Sequence, residues 1–443
     1  EPEAVLIAET GGINAMIVDS TALPEQAVRD ILASAFQSAG QRCSALRILY
    51  VQDDVADRTL KMLFGAMDAL RIGDPGDLST DVGPVIDGSA RRSIIEYLES
   101  NETKVLKQLS LPEVCDAGYF VPPTVLKVEG IADLQREVFG PVLHVAIFEP
   151  EKLDQVIDEI NGAGYGLTLG LHTRIDQRVE QLVEKAEVSN IYVNRNQIGA
   201  VVGSQPFGGE GLSGTGPKAG GPLYLERFMA IDTDSNSITV DNLEGEIAGS
   251  ELSKAWKGLD NRSWSKIGEQ ERSEALLKSG LEPVFPSGLS ARNLPGPTGE
   301  SNKLEFHPRG RILCLGEPGS DQSGSTALAQ AKIGLVTGNA VLVAAGGVKD
   351  LVDERRTKKL PVTLLNGTVP VNALSQLEDL AAVVVSGNSA RLSLIRQELA
   401  KRDGPLVPMI TDWRNASRLT LERAVCVDTT AAGGNAVLLA AVS

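Results

Sequence analysis

The chain has 443 residues, ample for a large core and, at average domain size, suggestive of about three domains. Hydrophobic residues make up 42% and charged residues 23%, an ordinary globular balance, while a net charge of −16 argues against a nucleic-acid surface, which needs clustered Lys and Arg. Cys43, Cys115, Cys314 and Cys426 stand far apart without a CxxC pair, and only His144, His172 and His307 accompany them, so a zinc site and a disulfide framework are both disfavoured and a reducing cytoplasm fits.

Taken in order, residues 5–8 form a short predicted strand leading to Glu9, and residues 14–19 a second strand. Pro24 opens a helix in which Ala27, Ile31, Leu32, Ala35 and Phe36 recur at helical spacing. A strand follows over 47–51, then an amphipathic helix over 55–70 that ends at the turn signal Gly73-Asp74-Pro75-Gly76. A helix is predicted over 90–100, loop then strand over 118–126, a strand over 142–148 and a helix over 153–162. A glycine-broken strand over 164–172, a helix over 176–186 and a strand over 189–194 complete this half. Strands and helices alternating at these lengths indicate a layered α/β fold. No apolar run reaches the roughly 18–20 residues of a membrane helix, the apolar tail over 431–442 is short and rich in Gly and Ala, and no signal-peptide pattern opens the chain.

Cys43 lies between the first helix and the apolar run Leu46–Val51, just after the helix-breaking Gly40. A cysteine at such a junction is partly exposed, and backbone N–H groups and Arg42 would stabilise its thiolate. Most single cysteines are small buried hydrophobes, so position alone does not make Cys43 a nucleophile. Glu9 ends a strand and precedes Gly11 and Gly12, which let backbone approach closely; that arrangement suits a general base for water.

Four motifs in a fixed order carry a resemblance. Glu9-Thr10-Gly11-Gly12 is followed by Gly40-Gln41-Arg42-Cys43, then by Glu137-Val138-Phe139-Gly140-Pro141-Val142, and last by the loop from Asn194 to Gly209. Together they resemble the aldehyde dehydrogenase superfamily, and the wording of the loop is similar to the glutamate-semialdehyde (pyrroline-5-carboxylate) dehydrogenases, in the form fused to proline dehydrogenase. The resemblance implies NAD-dependent oxidation of L-glutamate γ-semialdehyde to glutamate, the second step of proline degradation, with Cys43 as nucleophile and Glu9 as base. It implies that Glu137 binds the NAD ribose and Phe139 the nicotinamide side. Ser44 and the backbone of Gly199 and Ala200 would hold the substrate carboxylate, and Phe207 would pack on its aliphatic stem. By pattern alone, Glu137 equally suits a turn cap and Phe139 a core position. Ile13 stands where many family members have Lys.

The resemblance also implies partners outside this sequence. Residues 1–8 read as the middle of a domain, so roughly half of the enzyme, holding the cofactor fold and an oxyanion-binding Asn, is expected upstream. A proline dehydrogenase domain with FAD is expected further upstream. A cytoplasmic homo-oligomer follows, with any membrane contact peripheral and made through that flavin domain. A truncated, non-catalytic scaffold or lid is the rival reading, and another enzyme of the family, such as a succinate-semialdehyde type, is a third. His172 reads as structural. Gly209-Glu210-Gly211-Leu212-Ser213-Gly214 matches a dinucleotide fingerprint by letters only, because no helix follows it.

The expected domains are 1–228, the catalytic domain; 229–304, a linker, oligomerisation and helical segment; and 305–443, a Rossmann-like domain. Residues 229–249 are acidic and polar, 256–277 read as helix and 281–303 as loop. Predicted strands over 311–315, 340–345, 360–365, 381–385 and 406–410, with helices over 325–333 and 390–402, indicate a mostly parallel sheet covered on both faces. This region resembles a worn copy of the family's cofactor domain. Residues 402–412 are similar to the lead-in to Glu9, yet Trp413-Arg414-Asn415 follows in place of a Glu-x-Gly-Gly motif, so the copy lacks a base and is expected not to bind NAD. Cys314 and Cys426 are expected in the core.

Overall fold

The computed structural model describes residues 6–229, 245–260, 263–283, 289–317, 320 and 322–430. Its described residues form two compact units, one of residues 9–222, 292–304 and 423–430, the other of the described parts of 1–8, 223–291 and 305–422.

The first unit is built on a long sheet. From one edge the strands run Arg292–Leu294, Glu300–Pro308, Thr420–Asp428, Asn190–Val193, Thr168–His172, Asn14–Val18, Leu46–Gln52, Val142–Phe148, Thr124–Lys127 and Val105–Gln108. The pairings from Asn190–Val193 through Thr124–Lys127 are parallel. Alternation along each strand sends side chains to opposite faces. Met16, Val18, Leu49 and Val51 pack with the helices Pro24–Phe36 and Asp53–Met67 on one face. Ala15, Ile17, Ile48 and Tyr50 pack with Leu153–Gly162 and Asp176–Lys185 on the other. A fully buried Leu or Ile of this kind stabilises by about 1.5–3 kcal/mol.

The helix Pro24–Phe36 has the expected start and face. Proline stands at its first turn with Glu25 beside it, and Ala27, Ile31 and Ala35 are buried at four-residue spacing. The strand Val142–Phe148 and the helix Leu153–Gly162 match the expected spans. Residues 164–172 are broken as expected, into Tyr165–Gly166 and Thr168–His172. Glu210–Gly211 pairs antiparallel with Tyr165–Gly166, so the letters of the false fingerprint lie on an edge ribbon.

The second unit holds a five-stranded parallel sheet ordered Val362–Leu365, Ala340–Ala344, Arg311–Cys314, Leu380–Val384, Met409–Ile410. In chain order that is 3-2-1-4-5, the doubly wound arrangement whose strand order reverses between strands 1 and 4. Beyond the carboxyl ends of those two strands, Gln330 accepts from the Gly316 N–H at 3.1 Å, and Trp413 Nε1 donates to Ser386 Oγ at 3.0 Å. Cys314 and Cys426 are both buried, as expected.

Several expectations are corrected. Residues 6–8 are not strand; Val5 lies outside the described residues, as do 230–244 of the acidic segment and the tail over 431–442. The single helix expected over 256–277 is two, Gly249–Lys257 and Glu269–Lys278, because Gly258 closes the first and Gly268 opens the second. Residues 281–303 are not all loop. Arg292–Leu294 and Glu300–Pro308 pair antiparallel across Pro295-Gly296-Pro297-Thr298-Gly299, a turn sequence whose flanking strands are too polar to betray themselves. Among the described residues, no helix is long and apolar enough to cross a membrane.

Two of the three histidines on this sheet, His144 and His172, are buried and held neutral. His144 Nδ1 meets the Arg47 carbonyl at 2.8 Å and its Nε2 meets Tyr97 Oη at 2.8 Å, and burial lowers its pKa to about 4. His172 is buried with Nε2 3.8 Å from Asp30, and burial likewise lowers its pKa to about 4. An unfolded histidine titrates near 6.5, so the unfolded chain takes up these protons first as pH falls. The stability contributed by keeping them neutral is complete above about pH 6.5 and lost as pH falls through about 4. Thermal midpoints are therefore expected to drop between pH 6.5 and pH 4, and His144→Gln, which keeps a donor and an acceptor, is expected to flatten part of that slope.

Candidate active site

The chain leaves the helix Pro24–Phe36 through three successive left-handed residues, Ser38 (φ 55°), Ala39 (φ 52°) and Gly40 (φ 66°). Two of the three carry side chains, and a left-handed conformation costs a non-glycine residue about 1–2 kcal/mol. What holds the turn is Arg47, 1% exposed, on the strand Leu46–Gln52. Its Nη1 donates to the carbonyls of Gly40 at 2.7 Å and Gly140 at 3.4 Å, and Nη2 donates to the Arg42 carbonyl at 3.1 Å. Gly40 is packed so tightly that an added Cβ would lie 2.1 Å from the Gly140 carbonyl oxygen. Cys43 follows this turn. Asn14 secures its far side, donating from Nδ2 to the carbonyls of Cys43 at 2.7 Å and Ala45 at 2.9 Å while accepting from the Thr168 N–H at 3.1 Å.

Two carboxylates flank the cysteine. Glu9 bridges to Gly214, and both its oxygens accept from the Gly209 N–H, at 3.1 and 3.2 Å. Burial raises its pKa, against the opposing pull of that N–H and of Lys218. Lys218 is itself fully buried, with Nζ donating to the carbonyls of Ser189 at 2.8 Å and Gly208 at 2.5 Å and to Asn190 Oδ1 at 2.8 Å. Glu137 binds Arg47 Nη2 at 3.0 Å through one oxygen and the Gly12 N–H at 3.2 Å through the other. Gly11 permits the approach: at φ 140°, an added Cβ would lie 2.7 Å from the Glu137 carboxylate. Phe139 is 45% exposed, with the Arg47 guanidinium 5.2 Å from its ring centroid.

Cys43 is open to solvent. Burial by the packed side pushes its thiol up, and Glu9 and Glu137 push the same way, while the backbone N–H groups of Ser44 and Cys43 pull it down. The expected support from backbone amides is present. Arg42 does not play the expected part: its Nε donates to Ser38 Oγ at 3.1 Å, and the guanidinium coupled electrostatically to Cys43 is that of Arg47.

The remaining expected residues lie on or beside the loop after Asn190–Val193. Gly199 and Ala200 are exposed, and Phe207 is half-buried with its N–H on the Ala219 carbonyl at 3.0 Å. Ser44 is buried, and its carbonyl accepts from Gln197 Nε2 at 3.4 Å and Thr168 Oγ1 at 3.3 Å, which ties the loop to the nucleophile segment. The structure thus joins Glu9 to Gly209, Glu137 to Gly12, and Ser44 to Gln197. Arg47, Asn14 and Lys218 were not singled out in the sequence. An arginine inside an otherwise apolar strand and a lone lysine in a glycine-rich loop were the available signals. Among the described residues, no three His, Cys, Asp or Glu side chains converge to hold a metal ion.

Residues 4–233, which carry Cys43, Glu9 and Glu137, match the aldehyde dehydrogenase family, so the chain belongs to it. It is similar to Bifunctional protein PutA of Escherichia coli (strain K12), 44% identical over 453 residues, covering 98% of this chain and 33% of that protein. It is also similar to 1-pyrroline-5-carboxylate dehydrogenase of Geobacillus sp. (strain WCH70), 41% identical over 233 residues, covering 52% of this chain and 45% of that protein. Among solved structures, Proline Utilization A (PutA) from Corynebacterium freiburgense matches with a TM-score of 0.63 and 25% identity, covering 97% of this chain and 40% of that one. The chain spans 33% of the length of the first of these relatives.

Two outcomes follow. Alkylation of Cys43 by iodoacetamide is expected to rise with pH to a midpoint above the ordinary thiol value, because burial and two carboxylates oppose ionisation; Glu9→Gln removes one of those charges and is expected to move the midpoint down. Gly40→Ala is expected to lower the thermal midpoint, since the added methyl meets backbone at 2.1 Å.

Proposed function

We propose that the chain forms the catalytic part of an NAD-dependent L-glutamate γ-semialdehyde dehydrogenase. The observation that carries this is the placement of Cys43 between backbone amides and Glu9, with both Glu9 oxygens held on Gly209. Cys43 Sγ, deprotonated, adds to the aldehyde carbon, and the oxygen of the adduct accepts from the Cys43 N–H. Glu137 and Phe139 are the residues here that would hold NAD. They suit it: each Glu137 oxygen accepts one hydrogen bond from the protein and keeps lone-pair capacity for a ribose hydroxyl, and Phe139 offers an open ring face. The chemistry a nicotinamide dinucleotide supplies when bound is acceptance of hydride, which leaves a thioester on Cys43. Glu9 takes a proton from water, the water oxygen attacks the thioester carbon, and Cys43 Sγ departs.

Substrate identity is supported by the relatives that are 1-pyrroline-5-carboxylate dehydrogenases and proteins of proline utilisation. The exposed backbone at Gly199 and Ala200 offers donors to the amino-acid end, and the half-buried Phe207 is assigned to the aliphatic stem and the buried Ser44, next to Cys43, to the carboxylate. The relatives described as bifunctional support a second activity elsewhere in the polypeptide, which we assign to a flavin-dependent proline dehydrogenase domain. No dinucleotide is assigned to the 3-2-1-4-5 sheet, whose reversal point is occupied by Gln330, Ser386 and Trp413.

In the full-length protein, NADH formation with pyrroline-5-carboxylate and NAD⁺ is expected to fall by about 10³-fold or more in Cys43→Ser. Oxidation of glutamate semialdehyde is expected to exceed that of succinate semialdehyde. A folded wild-type protein with no activity would support the scaffold reading, and faster oxidation of succinate semialdehyde would move the assignment to that substrate.

A further inference from the structure

The loop that presents Gly199 and Ala200 is fastened at both ends to the same two groups. Near its start, Arg195 Nη1 donates to Glu300 Oε2 at 2.6 Å and to Cys426 Sγ at 3.0 Å. Near its close, Gln205 Nε2 donates to Glu300 Oε1 at 2.9 Å and to Cys426 Sγ at 3.5 Å. Glu300 Oε1 also accepts from Asn302 Nδ2 at 2.8 Å, and the Arg195 guanidinium lies 5.6 Å from the Tyr192 ring centroid. Gln205 and Cys426 are buried, and the Arg195 and Glu300 side chains are half-buried. Between these stems the Gln197 N–H donates to Ser34 Oγ at 3.2 Å and the Gly203 N–H to the Gly220 carbonyl at 2.9 Å, while the stretch from Gly199 to Val202 is exposed. The Ser204 and Gln205 amides turn back on the Val201 carbonyl at 3.1 and 2.7 Å, and Val201 and Val202 are exposed.

We propose that Glu300 is a positioning residue that sets substrate specificity. One carboxylate and one thiol, on strands 105 and 231 residues downstream of Arg195, clamp both ends of the 195–205 loop. The amides of Gly199 and Ala200 are then held where the carboxylate of an amino-acid aldehyde meets them. The clamp rests on the reading of that loop as the anchor for glutamate semialdehyde. It touches neither Cys43 nor Glu9, so its loss falls on substrates that carry the carboxylate and spares those that lack it. Glu300 accepts from both stems through its two oxygens, and as a carboxylate it makes the stronger, charge-assisted contacts, where the Cys426 thiol is a weak acceptor. The segments that supply Glu300 and Cys426 lie outside the four motifs of the family, so specificity in this chain depends on residues far from its catalytic sequence.

The experiment compares Glu300→Ala, Glu300→Gln and wild type in the full-length protein, with glutamate semialdehyde and with propanal, which has no carboxylate. Glu300→Ala is expected to raise KM for glutamate semialdehyde about tenfold or more, the size of a lost charge-assisted hydrogen bond, with kcat/KM for propanal within about twofold. Glu300→Gln keeps one acceptor and is expected to lie between, and it serves alone if the alanine variant does not fold. Hydrogen exchange at the 201–205 amides is expected to quicken in the same order. Equal losses with both aldehydes, or unchanged KM, would overturn the proposal. If wild type oxidises propanal but not glutamate semialdehyde, the substrate reading fails, and exchange alone decides the clamp: unchanged exchange in Glu300→Ala overturns it, and faster exchange upholds it as a brace for whatever the loop binds.

Discussion

A buried guanidinium organises the site. Arg47 lies within a strand whose neighbours Leu46 and Ile48 are apolar and fully buried, and it carries a charge into the face that Leu49 and Val51 share. Burying a charge is costly unless it is paired and hydrogen-bonded. Here one carboxylate, Glu137, and the carbonyls of Gly40, Arg42 and Gly140 satisfy its two Nη groups, while Nε is buried without a partner. Those partners belong to the nucleophile turn and to the segment proposed to hold NAD. A single side chain therefore fixes both, and it stabilises three consecutive left-handed residues that would otherwise relax. Removing one partner of a buried pair costs about 3–5 kcal/mol, the same range as about 1–2 kcal/mol for each of Ser38 and Ala39, so the contacts of Arg47 are large enough to offset the strain of the turn.

The second constraint is electrostatic. Cys43 sits where Glu9 and Glu137 both oppose its ionisation, while the amides of Ser44 and Cys43 and the Arg47 guanidinium favour it. Glu9 suits the later abstraction of a proton from water, because burial has moved it toward the neutral form and hence toward a more basic carboxylate. Lys218 and the Gly209 N–H limit how far that shift goes. The glycines around these groups serve approach: Gly11 admits the Glu137 carboxylate and Gly40 admits the Gly140 carbonyl.

Much of this was legible in the sequence because it depends on local pattern. The helix from Pro24 follows from proline at its first turn and apolar spacing, and Val142–Phe148 from an unbroken apolar run. The groups that hold the site were less legible, because they are polar residues in apolar elements. Arg47 interrupts a strand pattern, and nothing in the sequence says that three carbonyls await it. The strand Thr420–Asp428 contains Glu422 and Arg423, which read as surface residues. Glu422 is instead buried against Arg227 at 3.6 Å, and Arg423 against Glu210 at 3.7 Å. Arg292–Leu294, the edge strand, and residues 300–303 of its neighbour read as loop because both segments lack apolar alternation. Apart from the Gly40 and Arg42 carbonyls, which are near Arg47 in sequence, each of these depends on a partner 90 or more residues distant or on position in the sheet, and periodicity reports neither.

The division of roles between Cys43 and Glu9 is tested most directly by trapping the acylated enzyme. Full-length Glu9→Gln protein would be mixed with glutamate semialdehyde and NAD⁺, quenched in acid, and the peptide containing Cys43 weighed by mass spectrometry. The expected result is a glutamyl thioester on Cys43, formed with one equivalent of NADH and persisting because water is no longer activated. An unmodified Cys43 with continued turnover would contradict the account, since it would show that the hydrolytic base lies elsewhere or that no covalent intermediate forms on this residue.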